Sequence, residues 1–449
     1  MQYITVLDYV ILPFVLALVY GLAYRYRNKH YRPRHPWRKY FIPAFTVKIF
    51  GAIFIGLIYQ YYYGGGDTFN YFRYGQVINS SFSDSPIKWI NLILHLPDVY
   101  TPGYYEYISR IPWYNSPSNF TVCAISAFIS IFTFGTYLPA SVLFAFISFS
   151  GIWALFRTFA SIYPKLIRPV AIAILFIPST VVWGSGIFKD TLCMFGLGWL
   201  TYSVFRFLIQ KDFSIRNILI AVFSLVLIAK VKVYILLGFI PALVMWILFV
   251  YSQKIKSTAI RLILKTGIIL IMLGSSTFLL ESLGEEYLGR YSLENIEETA
   301  EGTRRWITYS SGDEGSTYSL GNFPPTIAGM LAQFPLAVNV TLFRPYVWES
   351  GKIIVLLSAL EAALFLFLTL KIFFVVGFKN IWKTISRNPT IQFCLIFSII
   401  FAFAVGVTSY NFGALSRYKI PCLPFYAIFL VLTFYLNQKP GKSLLGKIV

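Results

Sequence analysis

The chain has 449 residues, of which 57% are hydrophobic and only 12% charged, and its mean hydropathy is +0.66. That composition excludes an ordinary soluble domain, and apolar runs of about 20 residues recur along the chain, each able to cross a hydrocarbon core roughly 30 Å thick. A formal net charge of +20 would suggest nucleic acid in a soluble protein, but here the Lys and Arg stand in short loops between apolar runs, where they mark membrane topology.

Spans in a water-free core must be helices, and the alternating pattern of a membrane barrel is missing. The expected fold class is therefore an all-α polytopic membrane protein, a single integral membrane domain over 1–449. Cys123, Cys193, Cys394 and Cys422 are far apart, in or beside apolar runs, with no C-x-x-C pair. His30, His35 and His95 are scattered. Neither a disulfide framework nor a metal cluster is expected.

The first apolar run, 8–24, lacks a basic leader and a small-residue cleavage site, so it reads as a retained span. Arg25, Arg27, Lys29, Arg32, Arg34, Arg38 and Lys39 follow and fix their loop in the cytoplasm, which puts the N-terminus outside. The second span, 41–62, carries the chain out to Gly64-Gly65-Gly66. These glycines end the helix, and Asp67 stands where a helix N-cap belongs. The outside loop 63–118 holds Arg73, Asp84, Asp98, Glu106 and Arg110, many tyrosines and five prolines from Pro86 to Pro117. It reads as interfacial helices joined by proline turns.

The stretch 119–160 fits two spans, or one span preceded by a half-embedded segment. Positive charge decides between them. If 121–134 does not cross, then Arg157, Lys165 and Arg168, Lys211 and Arg216, Lys254 to Arg261, Lys379 to Arg387 and Lys439 to Lys447 all become cytoplasmic. About eleven spans follow, together with the re-entrant segment and the interfacial helices. They run 8–24, 41–62, 138–160, 168–183, 189–209, 216–231, 233–252, 258–282, 351–376, 391–409 and 418–436. The segment 283–350, rich in Glu, Gly, Ser and Thr, is a second long outside loop.

With this topology, unusual polar groups reach the outer face. Asp67 begins the first loop, Lys189 and Asp190 open a span, and Lys230 and Lys232 lie at an outside turn. Arg344, Trp348 and Glu349 precede one late span and Arg417 the last. Outside cations oppose the positive-inside rule, and an anionic lipid head group bearing phosphate or diphosphate would account for them. Each group also has a plain structural role open to it. Asp67 can be only a cap; Lys189 and Asp190 can pair at a span end; Lys230 and Lys232 can snorkel. Arg344 and Trp348 can anchor an interface, Arg417 with Lys419 can mark a cytoplasmic loop, and the glutamates of 285–301 are solvated loop charge.

Four segments carry a family resemblance. They are Gly65-Gly66-Asp67 with Tyr71 and Tyr74; Pro178-Ser179 with Trp183-Gly184-Ser185-Gly186-Ile187-Phe188-Lys189-Asp190; Arg344-Pro345-Tyr346-Val347-Trp348-Glu349; and Asn411 to Pro421 with Arg417, Tyr418 and Lys419. In content and order they are similar to segments of the C-type membrane glycosyltransferases, in particular the exopolysaccharide or O-antigen polymerase-like branch. The resemblance implies a GT-C-like fold in a bacterial-type cytoplasmic membrane, and sugar transfer on its outer side from a polyprenyl phosphate or diphosphate donor to a glycan or lipid acceptor. It implies no cofactor, and the placement of the charges in short loops already speaks against a nucleic-acid partner. Asp67 would be the catalytic base. Lys189, Lys230, Lys232, Arg344 and Arg417 would meet the lipid phosphate. Tyr71, Tyr74, Asp190, Trp348 and Glu349 would contact sugar, with Tyr104, Tyr105 and Trp113 as further stacking rings. Other C-type enzymes often pair two acids in the first loop; here Asp67 is followed by Thr68, and no metal is expected. The competing class, a transporter or flippase of lipid-linked sugars, would need charged or broken helices near the midplane.

Overall fold

A computed structural model of the chain describes residues 3–255 and 326–438 without interruption, and part of 256–325. Among the described residues every regular element is a helix, apart from one isolated bridge between Thr317 and Asn411. The packing divides into two compact units, Met1–Lys232 and Val233–Val449, where the sequence reads as a single domain.

The first unit holds α1 (Val6–His30), α2 (Arg38–Tyr61), α3 (Asp67–Asp84), α4 (Pro86–Ile93), α5 (Tyr105–Ile108) and α6 (Pro117–Ile131). It continues with α7 (Tyr137–Ile162), α8 (Ile167–Leu175), α9 (Pro178–Trp183), α10 (Lys189–Phe205) and the first half of α11 (Ile215–Ser252). α7 is the most buried of the long apolar helices and α1 the least. The first packs on α1, α2, α6, α8 and α10, which explains why its apolar residues run all round while α1 leaves most of its surface for lipid.

The second unit holds the rest of α11, then α12 (Ile327–Ala332), α13 (Phe334–Phe343), α14 (Ile353–Val376), α15 (Phe378–Arg387), α16 (Pro389–Ser409), α17 (Phe412–Tyr418) and α18 (Leu423–Leu436). Its core is aromatic. Trp246 stacks on Phe393 with ring centroids 4.8 Å apart, and Phe239 meets Phe397 at 5.0 Å.

Seven described helices are long and apolar enough to cross a bilayer, or eight if α17 and α18, bent by 69° at the break between them, form one span. The chain is thus a helical multi-pass membrane protein. Three features account for the difference between the eleven expected spans and eight. The expected 168–183 span is two short helices, because Pro178 lacks the N–H that would continue α8 into α9. The expected 216–231 and 233–252 spans are both helical and meet at a kink, where the backbone leaves the helical region at Lys232 (φ −150°, ψ 76°); α11 covers the two across that kink and counts here as one. The expected 258–282 span lies mostly outside the described residues, as does the first part of the expected loop 283–350, whose later part holds α12 and α13. α6, expected to be half-embedded, has 15 residues, about 22 Å of helix against a core of roughly 30 Å.

Candidate functional site

α3 begins one residue earlier than the sequence suggests. Gly66, not Asp67, is the N-cap, with φ +131°. Only glycine takes that backbone easily, and a Cβ there would come 2.6 Å from the Tyr59 ring. Asp67 is instead the first helical residue, exposed, in the turn where the helix dipole favours a carboxylate. Helical spacing puts Asp67, Tyr71 and Tyr74 on one face of α3. Tyr71 and Tyr74 are 2% and 6% exposed and hold the Trp113 indole between them, at centroid distances of 4.8 and 5.2 Å. Arg73 lies over the Tyr74 ring and donates to its hydroxyl.

The start of α6 gathers these groups and the lysines. The Tyr71 hydroxyl donates to Asn119 Oδ1 at 2.9 Å, and Asn119 Nδ2 donates to Ser116 Oγ at 2.9 Å. One residue away, Ser118 Oγ accepts from Lys189 Nζ at 2.9 Å. One residue further on, the Phe120 ring stacks on His95 at 4.2 Å. His95 also meets Tyr114 edge-on at 4.7 Å. Burial pushes the His95 imidazole below its ordinary value, the Tyr114 backbone opposes the shift, and the nearby Lys230 charge adds to it.

Lys189 and Asp190 open α10. Lys232 Nζ donates to Asp190 Oδ1 at 2.5 Å, and the two side chains are 6% and 0% exposed. Each charge answers the other at the break in α11, so the pair holds that break as well as the start of α10. Lys230 is exposed. The turn before α10 is fastened from α2 and α7. Lys48 Nζ donates to the carbonyls of Gly184 at 2.5 Å and Thr180 at 3.3 Å, and Ser148 Oγ donates to Gly184 at 3.0 Å. A lysine inside an apolar helix thereby satisfies carbonyls that the end of α9 leaves open.

The remaining candidates lie in the second unit. Arg344 grips both carboxylate oxygens of Glu349, through Nε at 3.0 Å and through its second nitrogen. The Tyr346 N–H donates to the same carboxylate at 2.8 Å. Burial would raise the Glu349 carboxyl, but Arg344 and that N–H outweigh it and hold it below the ordinary range. The guanidinium also lies over Phe412, Tyr346 and Tyr318, at 5.3, 5.6 and 5.8 Å from their centroids. Lys419 Nζ donates to the Arg344 carbonyl at 3.3 Å. Trp348 is 82% exposed and stacks on Tyr346. Arg417 stands half-buried in the last turn of α17.

The expected site residues therefore fall into two groups. Asp67, Tyr71, Tyr74, Lys189, Asp190, Lys230 and Lys232 belong to the first unit, and Arg344, Trp348, Glu349 and Arg417 to the second. Sequence reasoning passed over Ser118 and Asn119, whose signal is a polar pair directly after Pro117 at the head of an apolar run. It also passed over His95 as anything but a metal ligand, and over Lys48. No family model matches the chain, and no curated protein or solved structure does either. What the fold defines by itself is a helical multi-pass membrane protein with a polar, lysine-bearing cluster at the head of α6.

Proposed function

We propose that the chain is a membrane glycosyltransferase of the C-type kind, moving a sugar or oligosaccharide from a polyprenyl-linked donor to a hydroxyl acceptor at the extracytoplasmic surface. The observation that carries this reading is the junction at Ser118 and Asn119, which ties the helix bearing Asp67 to the helix opened by Lys189. A carboxylate, a partly open indole and two lysines of one unit thus belong to connected elements.

In this reading the exposed Asp67 carboxylate takes the proton of the acceptor hydroxyl as its oxygen attacks the anomeric carbon. The bond from that carbon to the donor phosphate oxygen breaks, and the lipid phosphate or diphosphate leaves. Lys189 and Lys230 supply positive charge where the leaving oxygen becomes negative. The Lys232–Asp190 pair keeps α10 and the break in α11 in place for them. Tyr71 and Tyr74 brace Trp113, whose indole offers a face to a sugar ring.

The test is Asp67→Asn in cells that make the polymer, with the membrane level of the protein measured alongside. Loss of surface polysaccharide at normal protein level, with build-up of lipid-linked precursor on the outer leaflet, is the expected result. Unchanged polymer would remove Asp67 from the chemistry. Precursor trapped on the inner leaflet would favour a transporter of lipid-linked sugars.

A further inference from the structure

The strongest unexplained feature is a cavity of about 640 Å³ in the first unit, away from every residue used above. Arg27, Arg34, Arg38, Lys39, Lys165 and Arg168 line it, and no acidic side chain does. Three elements supply them: the last turn of α1, the connection into α2, and the corner at 164–168 that opens α8. None of the six makes an ion pair among the described residues. Like charges brought together from three elements repel one another, so the arrangement costs free energy unless an anion offsets it.

The connection behind the cavity is pinned by hydrogen bonds. The Tyr31 ring is buried, and its hydroxyl accepts from Trp153 Nε1 at 2.7 Å. Arg38 donates to the Tyr31 carbonyl at 2.5 Å and to Asn28 Oδ1 at 2.8 Å, which pins the connection across its own length. Arg27 also donates to Asn28. Pro33, Pro36, Pro43 and Pro164 stiffen the same walls. The 24-residue α2 begins at Arg38, so the positive end of its dipole opens at the cavity. Ile42 and Ile167 give it an apolar side. Positive charge alone marks a cytoplasmic loop, but topology does not ask for a concave shape, for three converging elements or for the exclusion of every acid.

We propose that this cavity binds a phosphate-bearing polyanion. Its volume exceeds that of a single phosphate and lies within the range of small-molecule sites, roughly 300–1,000 Å³. Arginines predominate, and their planar forks suit phosphate oxygens better than lysine does. The same chemistry belongs to an anionic lipid head group and to a free oligophosphate, and the experiment separates the two.

The full-length protein in neutral detergent is melted with added sodium tripolyphosphate and, separately, with micelles containing cardiolipin or phosphatidylcholine. A rise in melting temperature with tripolyphosphate, with cardiolipin or with both is expected, and none with phosphatidylcholine. Tripolyphosphate alone would assign a soluble oligophosphate, and cardiolipin alone a lipid head group. The rise should shrink with salt and need about tenfold more ligand in Arg34→Gln/Arg168→Gln. Both side chains are exposed, so the pair should fold. Lys165→Gln on the facing corner is the second variant if it does not. Lys379→Gln/Lys383→Gln, on exposed basic positions of α15, is the control for general positive charge. No rise with either phosphate source, a rise unchanged by the cavity variants, or an equal loss in the control would overturn the proposal.

Discussion

His95 shows what a single side chain contributes at the head of α6. Its ring lies on Phe120 and against Tyr114, beside Lys230; burial and the Lys230 charge favour the neutral imidazole and outweigh the Tyr114 backbone, which favours the charged one. Its folded pKa is depressed, so the unfolded chain takes up the proton first as pH falls. The stability due to His95 is complete above about pH 6.5 and is lost as pH drops from there toward the folded value. Thermal melts in detergent from pH 8 to 5 should therefore fall on the acid side for the wild type and flatten for His95→Phe. Lys230→Gln removes the depressing charge and should make the fall shallower. An acid-side loss identical in His95→Phe would show that other groups set it. Asp67 is legible as a residue but not as a cap: the run of glycines announces the end of α2, yet which residue takes the cap depends on the Tyr59 ring behind Gly66.

Among the elements, α11 depends most on a partner from elsewhere in the chain. Lys230 and Lys232 within an apolar run look like an outside turn between two spans. The structure has a kink there, at the non-helical Lys232, and Asp190 in the first turn of α10 receives the Lys232 ammonium. A buried pair of this kind is costly to break from one side. Asp190→Asn should lower unfolding free energy by about 3–5 kcal/mol, by leaving the ammonium without its carboxylate. Asp190→Asn/Lys232→Met should recover most of that loss, since no buried charge is then left over. Chemical denaturation in detergent reads both. Equal stability of the single variant and the wild type would mean that the pair does not hold the break. α15 lies where the sequence shows only a loop of positive charge: Phe378 and Trp382 are exposed on a short amphipathic helix that ends in Arg387, as suits a helix lying at an interface.

Over the whole molecule, sidedness is the property most open to direct test. The four native cysteines are all buried, which leaves a quiet background for labelling. Lys29 and Ser109 are exposed and lie on either side of α2 in the chain. With the loop after α1 in the cytoplasm, Ser109→Cys should react with a membrane-impermeant maleimide in intact cells, and Lys29→Cys only after the membrane is opened. The reverse pattern would invert the topology and move Asp67 to the cytoplasmic side, away from any donor on the outer leaflet.

Hydropathy, charge placement and the prolines were enough to establish the helical, multi-pass character and most helix positions, because a chain in lipid must satisfy its backbone locally and each span reports its own length. They were enough to single out Asp67, Lys189, Lys232 and Arg344 as unusual. They could not say what each of these meets, since a partner 42 residues away, as Asp190 is from Lys232, leaves no local pattern. Only packing decided that Arg344 is taken up by Glu349 and three rings, that Lys48 closes α9, and that Ser118 and Asn119 join α3 to α10. Packing also gathered cytoplasmic-looking charges around one open concavity, which exists only once α1, α2 and α8 are brought together.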